Sequence, residues 1–190
     1  MSWRIGWIIA TVLGLSLPAF GQENHAHHHH HHHHHDMQMD RDGMVMHANT
    51  DNLPKDCEAI SEEIAFEVRA GTKYAERGFV FGYSQHEFRV PPCAKLTITF
   101  VNEDQVRHQW MVHGLPRYLY PQGMFHMEVN GGKSVSGSFI LPSDEQTYLV
   151  HCDMAQHMEM GLKGQLVVGK GSGDLPSVPT VSNGIFSDRY

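Results

Sequence analysis

The chain has 190 residues and carries 14 Lys and Arg against 21 Asp and Glu, which gives a formal net charge of −7. This length suits one domain of ordinary size, and an acidic chain without a basic stripe does not fit a nucleic-acid partner. The unusual residue types are 17 His and 11 Met, far more than packing requires. Because imidazole and thioether groups bind soft and borderline metals, copper is the first cofactor to consider.

The first 21 residues have the pattern of a secretory signal peptide. Arg4 precedes an apolar run over residues 5–17, and Ala19 and Gly21 place small side chains where a signal peptidase reads them. The run is short for a membrane-spanning helix, and an uncleaved anchor is the alternative. We therefore expect residues 1–21 to be removed, and the mature chain to lie in the periplasm without a membrane span.

Residues 22–55 form a low-complexity segment rich in His and Met. The segment has no periodicity with a buriable face, which predicts disorder in the absence of metal. A purification tag is the alternative origin of the His run, although the run leads into a Met-rich stretch that no tag contains. Imidazoles capture Cu(II) and thioethers prefer Cu(I). The tail is therefore predicted to bind copper through His27, His28, His29, His30, His31, His32, His33, His34, His35, Met37, Met39, Met44, Met46 and His47.

Residues 56–170 have the alternating pattern of β-strands and are rich in β-branched side chains. Six stretches fit this pattern, over residues 64–70, 88–102, 108–114, 133–141, 147–152 and 164–169. Pro, Gly and Asn or Asp clusters separate them. This spacing predicts an all-β domain, an antiparallel sandwich or barrel. A helix is considered in the connections 74–83 and 115–125, and residues 171–190 have the composition of a polar tail.

Three cysteines are an odd number for a chain in an oxidising compartment. The simplest division is one disulfide and one thiolate ligand. Cys57 and Cys93 flank the first strands, whereas Cys152 lies among metal-binding residue types. We therefore predict a Cys57–Cys93 disulfide, with two free buried thiols as the alternative.

The most informative motif surrounds Cys152. A predicted strand ends at this residue, four residues separate it from His157, and His108 follows a strand and turn upstream. One distant His together with a Cys and a His on one short loop is the ligand set of a trigonal copper site with a weak axial ligand. These three residues are therefore the candidate metal ligands.

The two motifs resemble those of the cupredoxin family. HCDMAQHMEMGLKGQLVV resembles the ligand loop of azurins, rusticyanins and the last domain of multicopper oxidases, and HQWMV resembles the strand that carries the first His ligand. The resemblance covers about residues 57–170. It implies a Greek-key cupredoxin β-sandwich with type 1 copper held by His108, Cys152 and His157.

The axial ligand has two candidates. Cupredoxin loops usually place the axial Met two residues before the Gly that opens the last strand, which here is Leu162, and a Leu at this place resembles laccases. Met160 is the better ligand by its chemistry, because a thioether can coordinate copper and a Leu side chain cannot. Met160 is the preferred prediction and Leu162 the alternative.

A second copper site is predicted on the other face of the same strands. His113 lies five residues after His108, and His151 precedes Cys152, so both point away from the first site; Met111 shares their face. The pair also resembles the catalytic copper ligands of copper nitrite reductases and multicopper oxidases. Further ligands would come from His126, the tail or a neighbouring subunit. The alternative is two surface imidazoles with hydrogen-bonding roles.

The combination of tail and domain resembles the periplasmic copper-tolerance cupredoxins of the CopI type. This resemblance implies that the protein captures copper and oxidises it or relays it, with copper ions and a periplasmic redox or relay protein as partners. One alternative is an electron-transfer blue-copper protein. Another is a cuprous oxidase or reductase that uses a second copper at His113 and His151.

Overall fold

The computed structural model describes residues 37–39 and 42–178, and these residues belong to one compact unit. The predicted signal peptide, the His run and the last twelve residues lie outside the described residues. The expectations for those segments therefore stay predictions.

Two β-sheets make up the described part of the chain. A seven-stranded sheet has the strand order β1-β2-β8-β7-β10-β11-β5, and a four-stranded sheet has the order β4-β3-β6-β9. Two short 3-10 turns, Thr72–Tyr74 and Pro121–Gly123, are the only helical elements among the described residues. The strands are β1 Met37–Met39, β2 Gly43–Met46, β3 Glu63–Gly71, β4 Gly82–Tyr83, β5 Glu87–Val90, β6 Lys95–Asn102, β7 His108–His113, β8 Met124–Val129, β9 Ser134–Ile140, β10 Thr147–His151 and β11 Lys163–Val168.

The predicted all-β sandwich is confirmed, but its sheets are mixed rather than antiparallel. Strand β3 pairs with β6 in parallel, and β11 pairs with β5 in parallel. Parallel neighbours require a long connection, and the segments between these strands supply it. No α-helix lies in either connection where one was considered.

All six predicted stretches contain strands, but one stretch splits into two strands and β8 was not predicted. The stretch 88–102 splits at Pro91 and Pro92, which cannot donate ladder hydrogen bonds. Its halves, β5 and β6, belong to different sheets. Strand β8 was missed, because residues 125–127 are buried in succession and the alternation is lost.

The expectation of a disordered tail up to residue 55 is wrong for residues 43–46. Strand β2 pairs with β8, and Val45 is 3% exposed in the core between the sheets. Gly137 makes room for it, since a Cβ at Gly137 would lie 2.6 Å from a methyl group of Val45. An apolar side chain between two Met residues therefore anchors the end of the tail to the domain.

The core between the sheets is aromatic at its centre. Trp110 packs edge-on against Phe88, with ring centroids 5.8 Å apart, and Phe125 stacks on Phe139 at 4.3 Å. Burial of such side chains supplies the main favourable free energy of folding. The core therefore gives a fixed frame to the residues at the ends of β7 and β10.

The predicted disulfide is confirmed. Cys57 is bonded to Cys93 across 36 residues of sequence, whereas Cys152 is a free, buried cysteine. The bridge ties the segment before β3 to the start of β6. The alternative of two free thiols at these positions is excluded, and the remaining thiol stays available as a ligand.

Within the described ranges, no helix has the length and apolar character that a membrane crossing requires.

Candidate metal centre

Three side chains converge at one end of the sandwich. His108 opens β7, Cys152 follows the last residue of β10, and His157 lies on the loop before β11. The Nδ1 atoms of the two His are 3.1 Å apart, and the Cys152 Sγ lies 3.5 Å from Nδ1 of His157. One potential ligand atom from each residue falls within 4.8 Å of the others, and no second group of three His, Cys, Asp or Glu residues meets this condition in the described part of the chain. The structure thus brings together the three residues that the sequence predicted as ligands.

The loop over residues 152–162 is folded back on itself, which places His157 beside Cys152. The amide of Cys152 donates to the carbonyl of Leu162, and the amide of Leu162 donates to the carbonyl of His157. Gly161 has φ +116° and lies so close to the carbonyl of Phe81 that a Cβ would be 2.3 Å from its oxygen. Only glycine fits this conformation and contact. The backbone itself therefore holds the loop in position.

Asp104 fixes the ring of His108. Its Oδ2 lies 2.9 Å from Nε2 of His108, so this nitrogen donates, and Nδ1, which lies 3.1 Å from Nδ1 of His157, is the acceptor on the side of the other ligands. Burial acts to raise the pKa of Asp104, but hydrogen bonds from His108 and Thr72 outweigh it, and the pKa is lowered. The carboxylate therefore stays charged and keeps the His108 ring oriented.

Both imidazoles are held in the neutral form that a metal requires. Burial lowers the pKa of His108 against the opposing effect of Asp104. Burial and the neighbouring His108 lower the pKa of His157 as well. A neutral ring offers a lone pair, whereas a protonated ring offers none. Both residues are thus prepared to act as ligands near neutral pH.

The thiol of Cys152 is fully buried and accepts a hydrogen bond from the backbone. The amide of Gln109 donates to its Sγ at 3.3 Å. Burial raises the pKa of Cys152 to about 11, so the thiol is protonated in the metal-free protein. A bound cation favours the thiolate strongly, and binding at this residue therefore releases a proton.

Phe81 closes the cluster from the side. Its ring centroid lies 4.9 Å from that of His108 and also 4.9 Å from that of His157. The amides of Val80 and Phe81 donate to the carbonyl of Met160, which ties this segment to the ligand loop. An apolar ring at this distance keeps water from the ligand atoms and restrains both imidazoles.

The two axial candidates lie in different environments. Leu162 is fully buried and belongs to the core together with Cys152, whereas Met160 is half-buried. No described contact joins the side chain of either residue to the three ligands. The choice between Met160 and Leu162 therefore stays a prediction.

The residues predicted for a second site also lie together, on the outer face of the seven-stranded sheet. The ring centroids of His113 and His151 are 4.9 Å apart. Met111 is the cross-strand partner of both His151 and His126. Strand β2 lies at the edge of this face. It carries the tail residues Met44 and Met46, and His47 follows it directly.

Asp104, Gln109 and Phe81 were missed by the sequence reasoning. A signal was present for Asp104, which lies four residues before His108 at the end of a strand and can reach back to its ring. Gln109 acts through its backbone amide and Phe81 comes from a distant loop. Neither leaves a pattern in the sequence.

No protein-family model and no curated protein matches this chain. Among solved structures, auracyanin A, a blue copper protein from the photosynthetic bacterium Chloroflexus aurantiacus, is 21% identical; the match covers 56% of this chain and 99% of that one, with a TM-score of 0.45. Auracyanin B is also 21% identical, over 60% of this chain and 92% of its own length, with a TM-score of 0.44. A multicopper oxidase from Pseudomonas thermotolerans is 22% identical over 58% of this chain and 30% of the oxidase, with a TM-score of 0.44.

Proposed function

We propose that this chain is a periplasmic copper-binding protein of copper tolerance, with a type 1 copper centre formed by His108, Cys152 and His157. The observation that carries the proposal is the convergence of two imidazole nitrogens and one thiol within 4.8 Å at the buried end of the sandwich. Asp104, the backbone amide of Gln109 and the ring of Phe81 contact these ligands and restrain them without a metal.

The donor set fits copper. A thiolate and two imidazoles in a trigonal arrangement are typical of blue-copper sites, where the bound ion accepts and gives up one electron. Zinc also takes Cys and His ligands, but structural zinc sites are closed by four protein ligands. A catalytic zinc site also has three protein ligands but keeps an open position for water, whereas here Phe81 covers both imidazoles beside a fully buried Cys152, which favours copper.

The residues of the chain have separate tasks at this centre. Asp104 orients His108 through its Nε2, and the backbone amide of Gln109 donates to the Cys152 sulfur. Phe81 covers both imidazoles. A hydrogen bond to the sulfur and the exclusion of water both tune the redox potential of such a centre.

A role in tolerance, rather than electron transfer alone, is supported by the tail. Its His run and Met residues provide copper ligands for both oxidation states, and β2 attaches the end of this segment to the domain. Many ligands on one short segment raise the local copper capacity without a preformed site. The signal-peptide pattern supports a periplasmic location.

Two other functions use the same centre. A pure electron shuttle would bind one copper per chain and would be indifferent to loss of the tail ligands. A cuprous oxidase or reductase would need a second copper close to the first, and the proximity of His113 to His151 favours this candidate.

Growth of a copper-sensitive bacterial host that expresses the chain tests the proposed function. We expect the wild-type chain to raise the tolerated copper concentration, and Cys152→Ser and replacement of His27–His35 by Asn each to reduce this effect. Ser136→Ala, an exposed position on the other sheet, is the matched control and should keep full protection. Protection that survives both changes would contradict a tolerance role for the centre and the tail.

A further inference from the structure

One row of the seven-stranded sheet alternates Met and His across four strands. The cross-strand pairs are Met46 with His126, His126 with Met111, and Met111 with His151. Side chains that are directly opposite in neighbouring strands have Cβ atoms about 4.5–5.5 Å apart and lie on the same face. Four metal-binding side chains from four separate segments therefore meet in one line.

A second row adjoins the first. His113 pairs with Met124 across β7 and β8, and the ring of His113 lies 4.9 Å from that of His151 on the next strand. These side chains occupy the face that points away from the core. Trp110 and Val112, which alternate with Met111 and His113 along β7, belong to the core and point inward. The row and its neighbour form one outer-face cluster of Met46, Met111, His113, Met124, His126 and His151.

The imidazoles of the outer-face cluster carry buried nitrogen atoms that have no hydrogen-bond partner in the described part of the chain. His126 and His151 are each 7% exposed. In residues 42–178, four buried side-chain nitrogen or oxygen atoms have no hydrogen-bond partner, and three of them are His113 Nε2, His126 Nε2 and His151 Nδ1. An unpaired buried polar atom costs about 1–3 kcal/mol. The concentration of three such atoms on one face indicates that the cluster has a ligand.

Met111 provides a thioether at the centre of the same cluster. It is 2% exposed, yet it does not belong to the apolar core between the sheets. Its place between His126 and His151 gives it imidazoles on both sides. A buried thioether flanked by imidazoles is a soft ligand in a site from which water is largely excluded.

The surrounding charge favours a cation. Burial lowers the pKa of His126 and of His151, but nearby carboxylates oppose it. Glu128 and Asp153 act to raise the pKa of His126, and Asp153 and Glu159 act to raise that of His151. A positive ion bound between the rings would therefore be stabilised by its acidic neighbours.

We propose that the outer-face cluster binds one Cu(I) ion through His113, His151 and Met111, beside the buried ring of His126. A site of imidazole and thioether without carboxylate ligands is typical of monovalent copper, whereas Cu(II) prefers tetragonal nitrogen and oxygen ligands. The ligands are distinct from those of the inner centre, so this inference stands independently of the proposed function. The two sites are linked through the peptide bond between His151 and Cys152.

The test is an anaerobic Cu(I) titration against a chromophoric Cu(I) chelator. The parent is the full-length chain with His27–His35 replaced by Asn, which reduces tail binding. The double variant His113→Ala, His151→Ala should bind one Cu(I) fewer than the parent. The matched control is His86→Ala, another mostly buried histidine, whose Nδ1 is 2.8 Å from the carbonyl of Lys163 at the edge of the sheet; it should bind as many Cu(I) ions as the parent.

The visible band of the Cu(II)-loaded variants serves as the second readout. A band that survives in the double variant shows that the inner centre is intact and that the lost ion belonged to the outer face. An unchanged Cu(I) count in a folded double variant overturns the proposal, whatever the state of the inner centre.

Met111→Leu keeps the fold testable if the double variant fails to fold, because it preserves volume and removes only the sulfur. We expect this change to weaken Cu(I) binding by about tenfold or more. Unchanged Cu(I) affinity in Met111→Leu would exclude the thioether as a ligand and overturn the proposed site.

Discussion

Two clusters of histidines lie on opposite faces of the same pair of strands, and they differ in how their nitrogen atoms are occupied. In the inner cluster, His108 Nε2 is paired with Asp104, and Nδ1 faces the other ligand atoms. In the outer cluster, three buried ring nitrogens have no hydrogen-bond partner within residues 42–178. The His108 ring is oriented by its hydrogen bond to Asp104, whereas each outer ring has one buried nitrogen with no hydrogen-bond partner among residues 42–178.

This difference shows how β7 and β10 serve two sites at once. His151 and Cys152 are consecutive residues and therefore point to opposite faces, and the same holds for the odd offset between His108 and His113. Hydrogen-bonded ligands suit a centre that changes oxidation state without rearrangement. Ring nitrogens without a hydrogen-bond partner suit a site that takes up and releases an ion.

The largest effect is expected for Cys152→Ser. Cys152 supplies the thiolate of the inner cluster, so its loss should abolish the intense visible band of the Cu(II)-loaded protein. Absorption spectroscopy checks this, and the Cu(I) count of the outer cluster should stay unchanged. Loss of Cu(I) binding at the outer cluster in the same variant would mean that the two clusters form a single site.

Replacement of His27–His35 by Asn is expected to lower the number of Cu(II) ions per chain while the visible spectrum stays the same. The reason is that the proposed function assigns these imidazoles to additional copper capacity and not to the inner centre. Metal analysis after dialysis measures the change. A collapse of the spectrum would show that the tail supplies a ligand to the centre.

A deletion that extends from residue 25 to residue 47 should behave differently from that replacement. It removes β2 and the buried Val45, so the free energy of unfolding should fall by at least about 1–3 kcal/mol. Denaturant unfolding of the two variants separates the capacity of the tail from its structural anchor. Equal stability would contradict the docking of β2.

Asp104→Asn should weaken Cu(II) binding by about 10–100-fold, or ~1.4–2.7 kcal/mol, as found for comparable partners of metal-bound histidines. The amide is of similar size but holds the His108 ring without a charge-assisted hydrogen bond. A competition titration measures the affinity. Asp144→Asn, an exposed carboxylate on another loop, is the control and should leave the affinity unchanged.

The smallest effect is expected for Met160→Leu. If Met160 is the weak axial ligand, its replacement should shift the visible band and raise the redox potential without loss of copper. Spectra and voltammetry of the variant measure both quantities. An unchanged spectrum would instead assign the axial position to Leu162.

Much of the fold and the inner cluster was accessible from the sequence. Alternation over residues 64–70 and 95–102 predicted strands, because one face of each is more buried than the other. The spacing of Cys152 and His157 fixed a short loop, and the odd cysteine count left one thiol for a metal. These are local signals, and they survive in a single sequence.

What could not be predicted depends on contacts between distant segments. Residues 125–127 of β8, with His126 at their centre, are all buried, so this strand shows no alternation. Its place beside β7 was therefore not predicted. The docking of Val45 depends on Gly137, which is 92 residues away in sequence. Pairing of Met46 with His126 and of Met111 with His151 follows from sheet register, which no local pattern specifies.

The central claim is that His108, Cys152 and His157 hold one copper ion with a thiolate ligand. The most direct measurement is the visible absorption and electron paramagnetic resonance of the full-length chain with one equivalent of Cu(II). A strong charge-transfer band that disappears in both Cys152→Ser and His157→Ala, but survives in His86→Ala, is the predicted result. A Cu(II)-loaded wild-type chain with only the weak band of nitrogen- and oxygen-bound copper would contradict the account.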